Sequence, residues 1–578
     1  MPGSADVPRR LRARTALTLL SAVLWLQPPL VLPQPSRSGP DGPPRPFGVQ
    51  PAPGPVPAHT PRSLVRAQDR ALLYGPFPHS GLARGTSDGG LMLSEDPAVR
   101  ALAMGDSRAA GADLVRIPVN WRDIVQAAPP AGFQATDPAG TAYDFTRIDA
   151  AVRSAAAAGL EPLLVVSHAP AFAEAPHRWT YAYPGSWAPS PAALRDFAAA
   201  LARRYSGAFP DPLLGGRALP RVRLFQAWNE PNLARYLEPQ WVARGRSWSA
   251  FSPLLYRQLL DGFYDGVKSV APADTVIAAG IAPEGEREGV GAMAPISFLR
   301  GMLCLQGSTH SERGGHRGGR GKRRGRSTPG PQLCAEPPRF DVLAFHPLSV
   351  FDPDVPAASA LDASISDIAK VTALLRLAER RRTVLPARPK PLWVTELNWQ
   401  SAPQSPHGVP RSLQAAWVSR ALHRLWVAGA SLVTWEFLID PYPSLSLSAP
   451  TGPALELLRP AGLYSAGVLD GHSDPALAQP KPFLTGFAFP FDPLRVDRQH
   501  VRVWALLAGT GRLAQLQRRT HSGTWRTIAQ LRAGAGGVLN ALVSLRGPAD
   551  LRLSSGALVS APGRVPRAHG SSHAPPKP

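Results

Sequence analysis

The stretch Arg221-Val222-Arg223-Leu224-Phe225-Gln226-Ala227-Trp228-Asn229-Glu230-Pro231-Asn232 decides the fold. Its first five residues read as a short buried strand that stops abruptly in an Asn-Glu-Pro turn. Proline after the glutamate ends the strand and fixes the turn. An apolar strand that delivers an amide and a carboxylate to its C-terminal tip is what a parallel β/α barrel needs at the mouth of its sheet. A second such delivery lies in Pro391-Leu392-Trp393-Val394-Thr395-Glu396-Leu397-Asn398-Trp399. Two strand-end carboxylates on one scaffold point to paired acid/base and nucleophile chemistry.

Working outward, apolar runs alternate with helical stretches from Arg70 to about Phe489, the pattern of a parallel α/β architecture. The expected strands are Ala71–Gly75, Asp113–Trp121, Leu163–His168, the opening stretch, Thr275–Gly280, Phe340–His346, Pro391–Glu396 and Ser431–Trp435. Helices are expected near 97–110, 144–158 (closed by Gly159), 191–204, 254–270, 364–381 and 413–428. Eight such units predict a (β/α)8 TIM barrel over 70–489. A doubly wound open sheet is the rival, but no Gly-rich phosphate turn follows the first strand. Alternating segments at Val501–Leu507, Leu513–Arg518, Trp525–Leu531 and Val538–Leu545 predict a small C-terminal antiparallel β-sandwich over 490–562, with a disordered tail over 563–578.

The N-terminus places Arg9, Arg10, Arg12 and Arg14 before a short apolar run, Ala16 to Leu26. Residues 1–27 therefore read as a signal peptide, with an uncleaved anchor left open, and 28–69 as a Pro-rich linker. The expected location is secreted or extracellular, with a membrane tether if the segment stays. The chain has 578 residues and carries 63 Lys+Arg against 41 Asp+Glu, a net charge of +22. That balance has two readings, attraction to anionic partners such as cell-wall polymer or an Arg-rich composition with one basic insertion, and the scatter of Arg along the chain favours the second. The two cysteines, Cys304 and Cys334, lack metal-ligand spacing, so no metal site is expected from them. They bracket a Gly/Arg-rich insertion, 305–333, that cannot bury apolar surface. A disulfide at its roots is expected. The insertion has no interleaved aromatics for base stacking, so nucleic acid is not an expected partner. A monomer is expected.

The strand-tip residues Arg116, His168, Asn229, Glu230, His346, Glu396 and Trp435 form a coherent set. Together with Trp228-Asn229-Glu230-Pro231, the set resembles glycoside hydrolase clan A, the retaining TIM-barrel glycosidases that include families 5 and 39. The resemblance covers roughly Leu72 to Phe489. It implies that Glu230 is the acid/base and Glu396 the nucleophile, on an oligo- or polysaccharide substrate, without a cofactor. The chemistry needs Glu230 protonated at rest and Glu396 ionised, with Arg116 as the cation that holds it so. Asn229 is expected to bond a sugar 2-hydroxyl, His346 to lie near the nucleophile and His168 to line the pocket. Trp435 is expected as a flat floor under the ring, with Trp121 and Trp399 as further stacking surfaces. If strand eight is shifted by one residue, Glu436 faces inward in place of Trp435. The run His346-Pro347-Leu348-Ser349 lacks the aromatic that family 39 enzymes tend to carry there, which leaves the substrate open. Two other functions share these residues: a non-catalytic carbohydrate or cell-envelope binder, and a transglycosylase.

Overall fold

Eight parallel strands close on themselves in the computed structural model: β1 (Ala83–Ser87), β2 (Leu114–Asn120), β3 (Glu161–Ser167), β4 (Leu224–Ala227), β5 (Thr275–Ile281), β6 (Val342–Phe345), β7 (Leu392–Leu397) and β8 (Ala430–Glu436). Each pairs with its sequence neighbours, and β8 pairs with β1 to seal the barrel. The described residues are 70–78, 81–305, 336–405, 408–441, 460–469, 472–509 and 511–567. The N-terminal apolar run, the Pro-rich linker, nearly all of the basic insertion with Cys334, and the tail from 568 lie outside them. The expected Cys304–Cys334 pairing lies outside them as well. Among the described residues no helix is long and apolar enough to cross a membrane.

Alternation along each strand sorts the side chains. Leu114, Leu163, Val165, Ile277, Val342, Ala344 and Leu432 pack together inside the barrel, with Leu224 and Trp393 against them. Their neighbours face outward onto the helices. Both faces are apolar because a parallel barrel sheet is covered on both sides.

The covering helices are α1 (Pro97–Ala109), α2 (Thr146–Ala157), α3 (Pro191–Arg204), α4 (Ser252–Val270), α5 (Pro295–Met302), α6 (Ile368–Arg381), α7 (Arg411–Val427) and α8 (Pro482–Ala488). Proline opens α1, α3, α5 and α8, where its missing N–H costs nothing. Asp96 and Ser190 accept from Ala98 N and Ala193 N to cap α1 and α3. α3 and α4 approach so closely that a Cβ on Gly266 would sit 2.2 Å from Arg195 O.

The first strand differs from expectation. Arg70–Tyr74 is helical, and β1 is Ala83-Arg84-Gly85-Thr86-Ser87. The apolar run 71–73 is too short to separate strand from helix. The true strand looks polar because its partners supply the bulk. A Cβ on Gly85 would meet Leu114 Cδ1 at 2.6 Å, and Thr86 Oγ1 donates to Ser107 Oγ at 2.7 Å.

A sandwich follows the barrel. One sheet holds β9 (Phe491–Arg495), β10 (His500–Leu506) and β13 (Val538–Ser544). The other holds β11 (Leu513–Arg519), β12 (Trp525–Arg532) and β14 (Ala549–Ser555), with β15 (Leu558–Val559) and β16 (Gly563–Val565) on β14. Its own core is Val501, Val503, Leu516, Leu539, Leu551 and Leu553 among others. Polar groups weld it to the barrel. Asp492 accepts from Arg420 Nε at 2.9 Å and from the His423 ring at 2.7 Å, and His423 stacks on Trp504 at 4.8 Å.

Candidate active site

The polar residues gather where the strands end. In β4, Leu224 points into the barrel and Gln226 follows on the same face. Gln226 Nε2 donates to Trp228 O at 3.1 Å and to Ala279 O at 2.5 Å, so it props up the Trp-Asn-Glu turn from below. Glu230 N donates to Gly280 O at 3.0 Å. Asn232 accepts from Ala282 N at 2.9 Å and donates to Met293 O at 3.1 Å. The turn is thereby locked onto the end of β5. It needs locking: Trp228 and Glu230 have φ of 73° and 39°, and Ala279 of 63°. Such conformations cost about 1–3 kcal/mol each and persist only where the surroundings over-determine them.

Two bulges complete the geometry. Along β5 and β6 the register runs Ala279 to Ala344 and then Ile281 to Phe345, which leaves Gly280 as an extra residue. Along β7 and β8 it runs Val394 to Val433 and then Leu397 to Trp435, so Thr395 and Glu396 together oppose the single residue Thr434. A bulge re-aims side chains. Here it brings Thr395 and Glu396 to the same lumen rather than to opposite faces.

The result is one connected cluster. Arg116 reaches Glu396 Oε1 through Nη1 at 2.9 Å and donates through Nη2 to Asn229 Oδ1 at 2.6 Å. His346 Nδ1 lies 3.0 Å from Glu230 Oε1 and 3.3 Å from Glu396 Oε2. Its Nε2 lies 2.9 Å from Thr395 Oγ1. Arg116, Asn229, Glu230, His346 and Glu396 are each at most 8% exposed. Burial pushes the His346 pKa down to about 4, against the pull of the Glu396 charge, with Arg116 adding to the depression. The ring is therefore neutral near pH 7. The tautomer that serves all its neighbours has Nδ1–H towards the two carboxyls and Nε2 accepting from the Thr395 hydroxyl.

A cavity of about 270 Å³ opens beside the cluster, lined by Asp88, Arg116, His168, Asn229, Glu396 and Glu436 among others. Glu230 is not part of that lining; its side chain is 10% exposed and meets His346. His168 stands at the rim, its pKa lowered to about 4 by burial and by the charges of Arg235 and Arg122.

The structure does not bring the three tryptophans to this cavity. Trp435 is fully buried, donates Nε1–H to Ala461 O at 3.0 Å and packs against Trp399, Phe483 and Phe487. Trp121 stacks on Phe197 at 5.1 Å, and Trp399 donates to Phe351 O at 3.1 Å. The correction has a simple cause. Leu432 faces the lumen, so Thr434 and Glu436 do too, and Trp435 faces the helices. Glu436 enters the site, with Asn398 Nδ2 donating to it at 3.0 Å. Sequence reasoning missed Gln226, Asn232, Gly280 and Thr395. Only the polar character of Gln226 and Thr395 on lumen-phase positions could have marked them.

Ligand atoms of Glu230, His346 and Glu396 lie within 4.8 Å of one another, close enough to hold a metal ion. The donor set fits one poorly. Arg116 already places a guanidinium on Glu396, and a dication there would meet that charge at close range.

Two predictions arise here. A Cβ on Gly280 would sit 2.7 Å from both Gln226 Nε2 and His346 Nε2, at a φ of +101°. Gly280→Ala is expected to cost upwards of about 1 kcal/mol in urea unfolding and to lower kcat more than it raises KM. Wild-type kinetics would show that the cluster tolerates the shift. The second concerns pH. Folded His346 titrates near 4, against an ordinary value of 6.5. The unfolded chain takes up a proton that the folded ring refuses, so this stability is present above pH 6.5 and is lost as pH falls towards 4. The loss from this ring is about 3 kcal/mol. Urea midpoints at pH 7 and 4.5 should therefore fall less for His346→Asn than for the wild type; equal falls would assign the acid sensitivity elsewhere.

No protein-family model and no curated protein matches the sequence. Among solved structures, the chain is similar to a family 39 glycoside hydrolase from the gut symbiont Bacteroides cellulosilyticus WH2, at 16% identity over 81% of this chain and 80% of that one, with a TM-score of 0.45. It is also similar to a GH39 β-xylosidase from Caulobacter crescentus, at 15% identity over 81% and 96%, TM-score 0.42. GH5_18 from Streptomyces cattleya matches at 16% identity over 71% and 80%, TM-score 0.40. At such identities the likeness is one of architecture, and the functional reading rests on the cluster of Arg116, Asn229, Glu230, His346 and Glu396.

Proposed function

We propose that the chain is a retaining glycoside hydrolase of the clan A type, acting by double displacement. The observation that carries this reading is the separation of the carboxyls. Oxygens of Glu230 and Glu396 lie within 4.8 Å of each other. Retaining enzymes hold the pair about 5–5.5 Å apart, and inverting enzymes about 6.5–9.5 Å to admit a water. In the first step Glu230 gives its proton to the glycosidic oxygen while Glu396 attacks the anomeric carbon. The aglycone leaves and a glycosyl–Glu396 ester remains. In the second step Glu230 takes a proton from water, and the resulting attack frees the sugar and restores both carboxyls.

The supporting groups have separable tasks. Arg116 turns Glu396 towards the cavity and holds Asn229 Oδ1, which leaves the Asn229 amide N–H groups for the sugar 2-hydroxyl. His346 spaces the two carboxyls. A sugar hydroxyl in place of water would make the same site a transglycosylase. We further propose that the protein acts as a secreted monomer on oligo- or polysaccharide, with residues 1–27 as signal or tether and a Cys304–Cys334 disulfide.

The test is covalent. A 2-deoxy-2-fluoro glycoside with a good leaving group should stall as a glycosyl-enzyme, and peptide mass spectrometry should place the label on Glu396. A label elsewhere, or none across a panel of sugars with free turnover, would overturn the assignment.

A further inference from the structure

Beside the catalytic cavity lies a second and larger one, of about 400 Å³, over the loops that follow β2 and β3. Its walls include Arg122, Glu174, His177, Arg178 and Gly185. The two cavities share a partition. His168 lines the first and Ala169 the second. Arg122 N donates to His168 O at 3.0 Å, and Ala169 N donates to Gly185 O at 2.9 Å.

The charges in this second cavity are unbalanced. Arg122 pairs with no carboxylate among the described residues; its guanidinium donates to Pro184 O at 3.2 Å. Glu174 is committed to the wall, with Oε1 accepting from Gly185 N at 2.8 Å and from Trp187 N at 2.9 Å. Arg178 stands 3.9 Å from the other oxygen of Glu174, too far for a hydrogen bond. Two guanidinium groups thus line a cavity with one carboxylate, whose Oε1 is taken by backbone N–H groups and whose Oε2 makes a long ion pair with Arg178 alone among the described residues. Arg235 adds positive charge at the partition, where it acts on His168 together with Arg122.

We propose that this second cavity is a subsite for an anionic group of a glycan, a uronate carboxylate or a sulfate ester, gripped by Arg122 and Arg178 beside the carboxylate pair. A guanidinium presents two parallel N–H donors that match the oxygens of either group. The volume lies within the usual range of small-ligand pockets. The net charge of +22 draws polyanions in at long range, and the arginine pair selects where one of their groups docks. The assignment of the ligand as a glycan rests on the hydrolase reading above.

The experiment uses the full chain with Glu396→Gln, so that bound sugar is not turned over. Binding of oligogalacturonate, sulfated dextran oligomers and neutral dextran oligomers of equal length is measured by titration calorimetry in 150 mM salt. At least one anionic probe is expected to bind about tenfold tighter than the neutral one. Which probe does so separates the uronate from the sulfate source. Adding Arg122→Ala and Arg178→Ala should remove that preference with an unchanged melting curve. Adding Arg526→Ala and Arg546→Ala, which delete the same charge from the sandwich surface, should keep it. Equal loss in both pairs would mean diffuse attraction to a basic protein and would overturn the subsite, as would equal affinity for all three probes. A preference that survives while Glu396→Gln still cleaves glycosides would sink the catalytic assignment and leave the subsite standing.

Discussion

With the roles proposed above, Glu396→Gln is expected to lower the turnover of every accepted glycoside by about 10⁴-fold or more, because Glu396, held by Arg116 at 2.9 Å and beside His346 at 3.3 Å, is the carboxylate assigned to form the covalent intermediate. The amide keeps the shape of the side chain and its contact with His346 Nδ1, so the fold should survive, and the melting curve checks that it does. Glu230→Gln behaves differently. Its loss is about 10²–10⁴-fold on substrates whose leaving group needs a proton. On activated aryl glycosides the leaving group departs without one, so the first step is nearly spared and the second becomes limiting. Added azide, which needs no base, should then rescue turnover and yield a glycosyl azide of retained configuration. Stopped-flow release of the aryl group and product analysis read out both effects. If the two variants lose activity equally on activated and unactivated substrates, the division of roles between Glu230 and Glu396 is wrong.

Asp149→Ala carries the largest expected loss of stability. Asp149 on α2 is 1% exposed. It accepts from Arg204 Nε at 2.8 Å and Nη2 at 2.5 Å, and from the Tyr205 hydroxyl at 2.8 Å. Arg204 is sandwiched between Phe145 and Phe209, with ring centroids 4.6 and 5.0 Å away. Removing the carboxylate strands a buried guanidinium and a buried phenol. The cost is about 3–5 kcal/mol, far more than for an exposed pair such as Arg195–Asp196. Urea unfolding at pH 7 measures it. A change below about 1 kcal/mol would mean that Arg204 escapes to water, and that the α2–α3 seam is looser than its geometry implies.

Much of the barrel was legible because its signals are local. Capping residues before Pro97 and Pro191, and glycine after α2, mark helix ends within a few residues of the chain. The run before Trp228-Asn229-Glu230-Pro231 and the run ending in Thr395-Glu396 each hold enough apolar residues to read as strands. Their terminal carboxylates stand out because buried strands seldom carry charge. β1 was not legible, since Ala83-Arg84-Gly85-Thr86-Ser87 depends on Leu114 and Ser107 for the volume it lacks. The bulges at Gly280 and at Thr395–Glu396 were invisible for a different reason. An extra residue in one strand exists only relative to its partner, and nothing within β5 or β7 alone defines a register.

By itself, the sequence determined that this chain makes a β/α barrel with a β-sandwich after it, and that Asn229, Glu230 and Glu396 stand at strand ends. Only the tertiary structure decided which side chains share the cavity. A strand packed on both faces, such as Ala430–Glu436, has apolar residues in both phases, so hydrophobicity cannot say whether Trp435 or Glu436 points inward. Closure of the barrel settles it, because once Leu432 is lodged among Leu114, Val165 and Val342, the pleat turns Glu436 to the cavity and Trp435 to the helices.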